Sequence, residues 1–273
     1  MTYDAAFARW LPVPQSSVSP DGARYAYVDD VAATPLNTSR VHIVDVRTGT
    51  DRVIIFPGPD LAQATQWLAG VVAFANEGIY LSLYGSNQGS GPDSGKLWLL
   101  DPGPGTIRKV SNVSGNPWLI SRAYAWTFLP TTGASSIPNR LVRLDLNSGQ
   151  TVDWWVDSTY EPVSSPGAVT EISVIGVDGS GNPIVEGLGE TGGGANYIPV
   201  VDVWVVKAQN HAVRLDVSLA NVGVGVSNPT WDGVATDSVG TWIALNNHLF
   251  LYRADGSFVE VAEGAYSPSG PCV

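Results

Sequence analysis

The side chains that could do chemistry are few and scattered in this sequence. The three histidines, His42, His211 and His248, lie far apart, and the single cysteine, Cys272, lies close to the C-terminus. No catalytic triad and no histidine- or cysteine-based metal site has its members at a recognised spacing. We therefore expect no catalytic residue, no metal and no cofactor, and an internal disulfide is impossible.

One short segment imitates the start of a calcium-binding loop. Asp178-Gly-Ser180-Gly-Asn182 places oxygen-bearing side chains at alternate positions. The later acidic ligand that such a loop needs is missing at the required spacing. We interpret the segment as an ordinary hairpin turn.

The best binding candidates are aromatic side chains with polar groups nearby. Trp154 and Trp155 are adjacent in a strand-like run, so their rings face opposite ways and one is expected to be exposed; the alternative is that both pack inside the protein. Aromatic rings and neighbouring carboxylates suit a sugar or a protein partner. The predicted ligand- or partner-binding residues are Trp155, Tyr160, Glu161, Glu190, Asn196 and Tyr197.

These side chains are positioned by a repeated sequence motif. In each copy an apolar strand ends in Asp, the chain turns at a Gly, and a second strand begins. The clearest copy is Val41-His-Ile-Val-Asp45-Val-Arg-Thr-Gly49, and the loosest has Lys207 and Asn210 in place of Asp and Gly. Successive copies lie roughly 45 to 60 residues apart, the period of a four-stranded propeller blade. The copies begin at Val41, Leu97, Leu141, Val203 and Leu249.

The repeat predicts an all-β chain that forms a single β-propeller domain of five four-stranded blades, with six blades as the alternative. The tails 1–15 and 263–273 are too short for a full further blade and are expected near the ring closure. Residues 6–13 read as a strand. The predicted blades span residues 16–57, 58–113, 114–157, 158–219 and 220–262.

Loop lengths are unequal at the two ends of the predicted blades. We label the four strands of each predicted blade a to d in chain order. The a–b and c–d turns are tight, whereas four of the b–c loops are long. We call the end that carries these loops the long-loop face and expect binding there, because long loops are usually functional. The long loops cover residues 29–39, 84–95, 129–139 and 187–201.

The first repeat resembles a known family. Ser19-Pro-Asp-Gly-Ala-Arg-Tyr-Ala-Tyr-Val28, followed by Asp45-Val-Arg-Thr-Gly49, is similar to the WD40-like repeat of TolB-like propellers. The resemblance implies a propeller that is often extracytoplasmic and commonly used for protein contacts. It carries no catalytic residues to this chain.

Composition limits the partners. The net charge is −11, and lysine occurs only at Lys96, Lys109 and Lys207. A phosphate backbone would be repelled, so we expect no nucleic acid partner. No apolar run is long enough to cross a membrane. Few charges and many small polar residues favour a secreted or cell-surface bacterial domain whose leader or anchor is not present in this sequence.

Together these features favour a non-enzymatic binding or scaffolding propeller that contacts protein or glycan through the long-loop face. One alternative is a glycan-active hydrolase or lyase with a pair of carboxylates in the channel. A second alternative is a subunit of a surface assembly, with exposed apolar patches on the blade edges.

Overall fold

A computed structural model describes most of the chain, and the regular secondary structure of its described residues is almost entirely β-strand. One 3-10 turn, Gln15–Ser17, is the only helical element in these residues. No helix in the described ranges has the length and apolar character needed to span a membrane. The described residues are 1–30, 39–56, 67–85, 95–115, 117–130, 138–156, 169–191, 198–217, 231–245 and 247–264.

The strands form a short N-terminal hairpin and five antiparallel sheets, in each of which consecutive strands are neighbours. The N-terminal hairpin contains β1 (Thr2–Asp4) and β2 (Arg9–Leu11), and the first sheet contains β3 (Arg24–Asp30), β4 (Ser39–Asp45) and β5 (Asp51–Ile55). The second sheet contains β6 (Trp67–Ala75), β7 (Gly78–Gly85), β8 (Leu97–Leu100) and β9 (Ile107–Lys109). The third contains β10 (Leu119–Ser121), β11 (Tyr124–Pro130), β12 (Pro138–Asp145) and β13 (Thr151–Val156). The fourth contains β14 (Val169–Val177), β15 (Pro183–Thr191), β16 (Ile198–Ala208) and β17 (His211–Leu215), and the fifth contains β18 (Trp231–Thr236), β19 (Thr241–Leu245), β20 (His248–Tyr252) and β21 (Phe258–Glu263).

The all-β class and the order of the sheets agree with the prediction, whereas the closure of the sheets into one ring of five blades remains a prediction. By their contacts, the residues fall into two compact units. One comprises Met1–Ile120, Leu146–Gly149 and Cys272–Val273, and the other comprises Ser121–Asp145 and Gln150–Pro271.

The predicted turn after the third strand of a repeat is confirmed in the first sheet. Asp45 Oδ1 accepts a hydrogen bond of 2.7 Å from the backbone N–H of Thr48. The backbone N–H of Gly49 donates to the Asp45 carbonyl oxygen at 2.9 Å, and Gly49 has a φ of 71°. The left-handed backbone explains the glycine, and the hydrogen bond explains the aspartate.

Each unit has a core made by apolar strands of two sheets. In the first unit, Val41 and Ile43 of the first sheet pack with Ile79 and Leu81 of the second. In the second unit, buried residues of the fourth and fifth sheets pack in the same way; they include Ile184, Val203, Val205, Ile243 and Phe250. The middle strands are therefore buried between sheets, as their non-alternating apolar sequence predicts.

The N-terminal region differs from the prediction in two ways. Residues 6–13 do not form one strand, because the chain turns at Ala8, with a φ of 50°, and β1 pairs with β2. The first sheet has three strands instead of four; its expected first strand is reduced to a single bridge between Val18 and Tyr25. Pro14 and Pro20 flank this segment and lack the N–H that a longer ladder would need.

The glycine that opens β7 is expected to be essential for stability. Gly78 has a φ of 142°, and a Cβ there would lie 3.0 Å from Leu99 Cδ1 and clash with the Leu100 carbonyl oxygen. Gly78→Ala should therefore lower the free energy of unfolding by about 2 kcal/mol or more, measured by urea denaturation. Gly49→Ala is the matched control, because its Cβ would meet nothing within 4 Å; it should cost only about 1 kcal/mol. Equal losses in the two variants would contradict the packing argument.

Candidate functional site

The structure buries one of the residues predicted to bind a ligand. Trp155 lies in β13 and is only 9% exposed, and its ring centroid lies 5.6 Å from that of Trp204 in β16. Its neighbour Trp154 uses the other side of the strand and packs 5.7 Å from Trp126. The expectation that Trp155 offers an exposed stacking face is thereby corrected, because Trp204 covers it.

The other predicted residues cannot be placed together. Glu190 lies in β15, opposite Pro199 of β16. Tyr160, Glu161, Asn196 and Tyr197 lie outside the described residues, so their convergence on the long-loop face stays a prediction.

A pocket of about 340 Å³ lies instead at the tight-turn end of the fourth and fifth sheets, within the second unit. It is lined by the turns that join β14 to β15 and β18 to β19, and by the ends of β16 and β20. Two acidic and two basic residues line it together with hydroxyl groups. The residues that matter for its chemistry are Asp178, Ser180, Lys207, Asp237, Ser238 and Arg253.

Asp178 holds the first of these turns. Its Oδ1 accepts hydrogen bonds of 2.9 Å from the backbone N–H groups of Ser180 and Asn182, and its Oδ2 accepts one of 2.9 Å from Asn182 Nδ2. The interpretation of this segment as a hairpin turn is confirmed, since Val177 pairs with Pro183 across it. The described residues contain no group of three histidine, cysteine or acidic side chains that could hold a metal ion.

Asp237 holds the second turn in the same manner. Its Oδ1 accepts hydrogen bonds from the backbone N–H groups of Val239, at 2.7 Å, and Gly240, at 3.1 Å. Its Oδ2 accepts one of 2.9 Å from Trp242 Nε1. The Trp242 indole first, and then the two backbone N–H groups, hold the pKa of Asp237 below its ordinary value. This carboxylate stays ionised and fixes the turn.

The basic side chains come from the ends of β16 and β20. Lys207 is exposed, and its Nζ lies 5.8 Å from the centroid of the Tyr252 ring. A hydrogen bond with the Tyr252 side chain is the main cause that raises the pKa of Lys207, and the charge of Asp178 adds to it. Arg253 is partly buried in the same pocket. Two permanent positive charges therefore line a cavity whose turns are held rigid by hydrogen bonds.

The two basic residues occupy the same position of the repeated sequence motif. The fifth residue is Asp45 in the first copy, and Asp101 and Asp145 in the next two. In the fourth copy it is Lys207, and in the fifth it is Arg253. The turn at Arg253 is one residue shorter: the Arg253 N–H donates to Ser257 O at 2.9 Å, four residues on, whereas the Asp45 N–H donates to Thr50 O at 2.9 Å, five residues on. The sequence feature that marks this pocket is the replacement of the repeated aspartate by Lys207 and Arg253. Loop length instead favoured binding at the opposite end of the sheets.

Comparison with known proteins gives one kind of match. No family model matches the chain, and no curated protein matches it. Among solved structures it is similar to TolB from Acinetobacter baumannii, at 14% identity and a TM-score of 0.46. The match covers 93% of this chain and 56% of TolB, so the chain spans just over half the length of that protein. The TolB class is the one that the Ser19–Gly22 hairpin resembles in sequence.

Burial predicts a structural role for Trp155. Trp155→Ala should lower the free energy of unfolding by about 3–5 kcal/mol, because it removes a packed indole from beside Trp204. Val152→Ala, on the same strand at a side chain that is 39% exposed, should change it by no more than about 0.5 kcal/mol. Chemical denaturation measures both. A Trp155 variant as stable as the Val152 variant would contradict the packing role.

The lowered pKa of Asp237 predicts a pH-dependent contribution to stability. Because the folded pKa lies below the ordinary value of 3.8, the contribution is complete above that value and is lost as the pH falls through the folded pKa. The wild-type protein should therefore melt above Asp237→Asn at about pH 6, and the gap should close toward about pH 2.5. Thermal denaturation at both pH values checks this, and a gap that does not change with pH would count against it.

Proposed function

We propose that this chain is a non-enzymatic binding or scaffolding domain of the β-propeller class, with five blades and an extracytoplasmic location, which contacts protein or glycan. The five antiparallel sheets in chain order, with Asp- and Gly-closed turns, support the propeller. The low content of charged side chains, 14%, supports the location.

One observation carries the binding role. Lys207 and Arg253 replace the repeated aspartate in the two sheets that line one pocket. An aspartate at this position serves its own turn, as Asp45 does through Thr48. A lysine or an arginine cannot accept that hydrogen bond, so the cations do not serve the turn in this way. Lys207 contacts Tyr252, and Arg253 Nη1 donates to Ser257 Oγ at 3.5 Å, but both cations also line the pocket, where a ligand can contact them.

The carboxylates of the described residues also favour binding over acid–base chemistry. Hydrogen bonds lower the pKa of Asp21, Asp45, Asp237 and Asp255; the main donors are the Ser19 hydroxyl, the Thr48 backbone N–H, the Trp242 indole and the Ser257 backbone N–H, respectively. A general acid at neutral pH needs the opposite shift. These four side chains are suited to holding turns.

One residue keeps the hydrolase or lyase alternative open to test. Glu186 lies in β15 and is 4% exposed, so it is a carboxylate held inside the fourth sheet.

Exposed apolar side chains on one sheet edge support a role in a larger surface assembly as a second candidate. Val53 and Ile55 of β5 are 47% and 62% exposed and project from the same face of the edge strand. A partner surface could cover them together. Val53→Asp should then dissociate such an assembly in analytical ultracentrifugation.

Binding without turnover is the expected result when the protein is incubated with a panel of neutral and acidic oligosaccharides. Affinity measurements should show binding, and mass spectrometry of the same mixtures should show no shortened or unsaturated products. Product formation that Glu186→Gln abolishes would establish the enzyme in place of the binder. Wild-type melting behaviour of Glu186→Gln is the control that its fold is retained.

The long-loop face is tested separately. The double variant Tyr160→Ala/Tyr197→Ala should weaken partner binding and leave the melting temperature nearly unchanged, because aromatic contacts in loops contribute more to recognition than to the core. Unchanged binding of every partner would remove this face from the proposal and leave the pocket as the site.

A further inference from the structure

The pocket at the tight-turn end has a composition that selects among ligands. Lys207 and Arg253 supply the positive charges, and Asp178 and Asp237 supply an equal number of negative charges, in a protein whose net charge is −11. Ser180 and Ser238 add hydroxyl groups that can donate or accept. The lining therefore offers ionic contacts to one end of a ligand and hydroxyl-type contacts to the rest.

The two carboxylates are partly used by the protein itself. Asp237 Oδ1 accepts two backbone hydrogen bonds, whereas Asp237 Oδ2 accepts one from Trp242. Asp178 Oδ2 likewise accepts one, from Asn182. A carboxylate oxygen can accept a further hydrogen bond beside the first. Each Oδ2 thus has capacity for a single donor such as a ligand hydroxyl.

We propose that this pocket binds a small sugar acid, with the ligand carboxylate between Lys207 and Arg253 and its hydroxyl groups on Asp178, Asp237 and the two serines. The proposal rests on the proposed binding function and names its ligand class. A volume of about 340 Å³ is at the lower end of the range for small-molecule sites.

Other simple ligands match the lining less well. A neutral sugar makes no ionic contact with Lys207 or Arg253. Phosphate can contact the cations, but it lacks hydroxyl groups in positions to reach both turns. An ion pair between a carboxylate and a cation gives stronger hydrogen bonds than neutral groups do. A sugar acid is the ligand class that can contact both the two cations and the hydrogen-bonding oxygens of the pocket.

Isothermal titration calorimetry with glucuronate, glucose and phosphate tests the ligand class. Glucuronate should bind at least about tenfold more tightly than glucose, which is the loss expected for one charge-assisted contact, and more tightly than phosphate. Equal affinity for glucose and glucuronate would overturn the role of the cations. Tighter binding of phosphate than of glucuronate would overturn the role of the hydroxyl groups, and no binding of glucuronate at millimolar concentration would overturn the proposal outright.

The repeat itself supplies the variant that tests the site. Lys207→Asp/Arg253→Asp places the aspartate of the first three copies at both positions and adds two negative charges beside Asp178 and Asp237; a cooperative thermal transition checks that its fold is retained. Glucuronate binding should decrease by about a hundredfold, as expected for two lost charge-assisted contacts. Arg108→Asp/Lys109→Asp makes the same charge change at exposed positions of β9 and should bind glucuronate within about twofold of wild type. Equal losses in the two variants would show an effect of overall charge and overturn the pocket.

A blocking variant keeps the test independent of charge. Ser238 is an exposed turn residue that lines the pocket, so Ser238→Trp should fill the cavity and abolish glucuronate binding without unfolding the protein. Retained affinity in Ser238→Trp would overturn the assignment of the site. If neutral oligosaccharides or a protein still bind wild type while glucuronate does not, this ligand class fails and the proposed function stands; if nothing binds, both fail.

Discussion

The hydrogen bond that an aspartate carboxylate accepts from a backbone N–H of its own turn is the interaction on which the described structure depends. Asp45 bonds to Thr48, Asp178 to Ser180 and Asp237 to Val239. Each bond closes a tight turn between two strands of a sheet, so the strands on either side keep their register and their apolar residues meet in the core. This constraint explains why acidic residues are frequent at turns in a chain with few charges.

The same hydrogen bond cannot form at the two positions where a basic residue replaces the aspartate. Lys207 and Arg253 stand in the repeated position in two sheets of the second unit, next to turns held by Asp178 and Asp237. The fifth sheet closes the turn after Arg253 with Asp255, whose Oδ1 accepts a hydrogen bond of 2.8 Å from the Ser257 backbone N–H. The turn is thus maintained by another residue, and the cation lines a rigid cavity. Rigid lining groups lower the entropic cost of binding.

Much of the fold could be predicted from the sequence because its signals are local. The strand ending at Asp45 and its Gly49 turn follow from neighbouring residues, and so does the hairpin at Asp178. The burial of Trp155 depends on Trp204 in another sheet, which no local pattern contains. The pocket was missed for the same reason: it exists only where turns of two sheets meet, and loop length favoured the other end.

Hydrogen–deuterium exchange with and without glucuronate tests the central claim most directly, namely that the tight-turn end of the fourth and fifth sheets is a preformed binding pocket. Glucuronate should add protection in the peptides that contain Asp178–Asn182, Asp237–Thr241 and Tyr252–Ala254, with little change elsewhere. The turns themselves should already exchange slowly without ligand, because their N–H groups are bonded to Asp178 and Asp237. Protection confined to the long-loop segments, or no change in any peptide at saturating glucuronate, would contradict it.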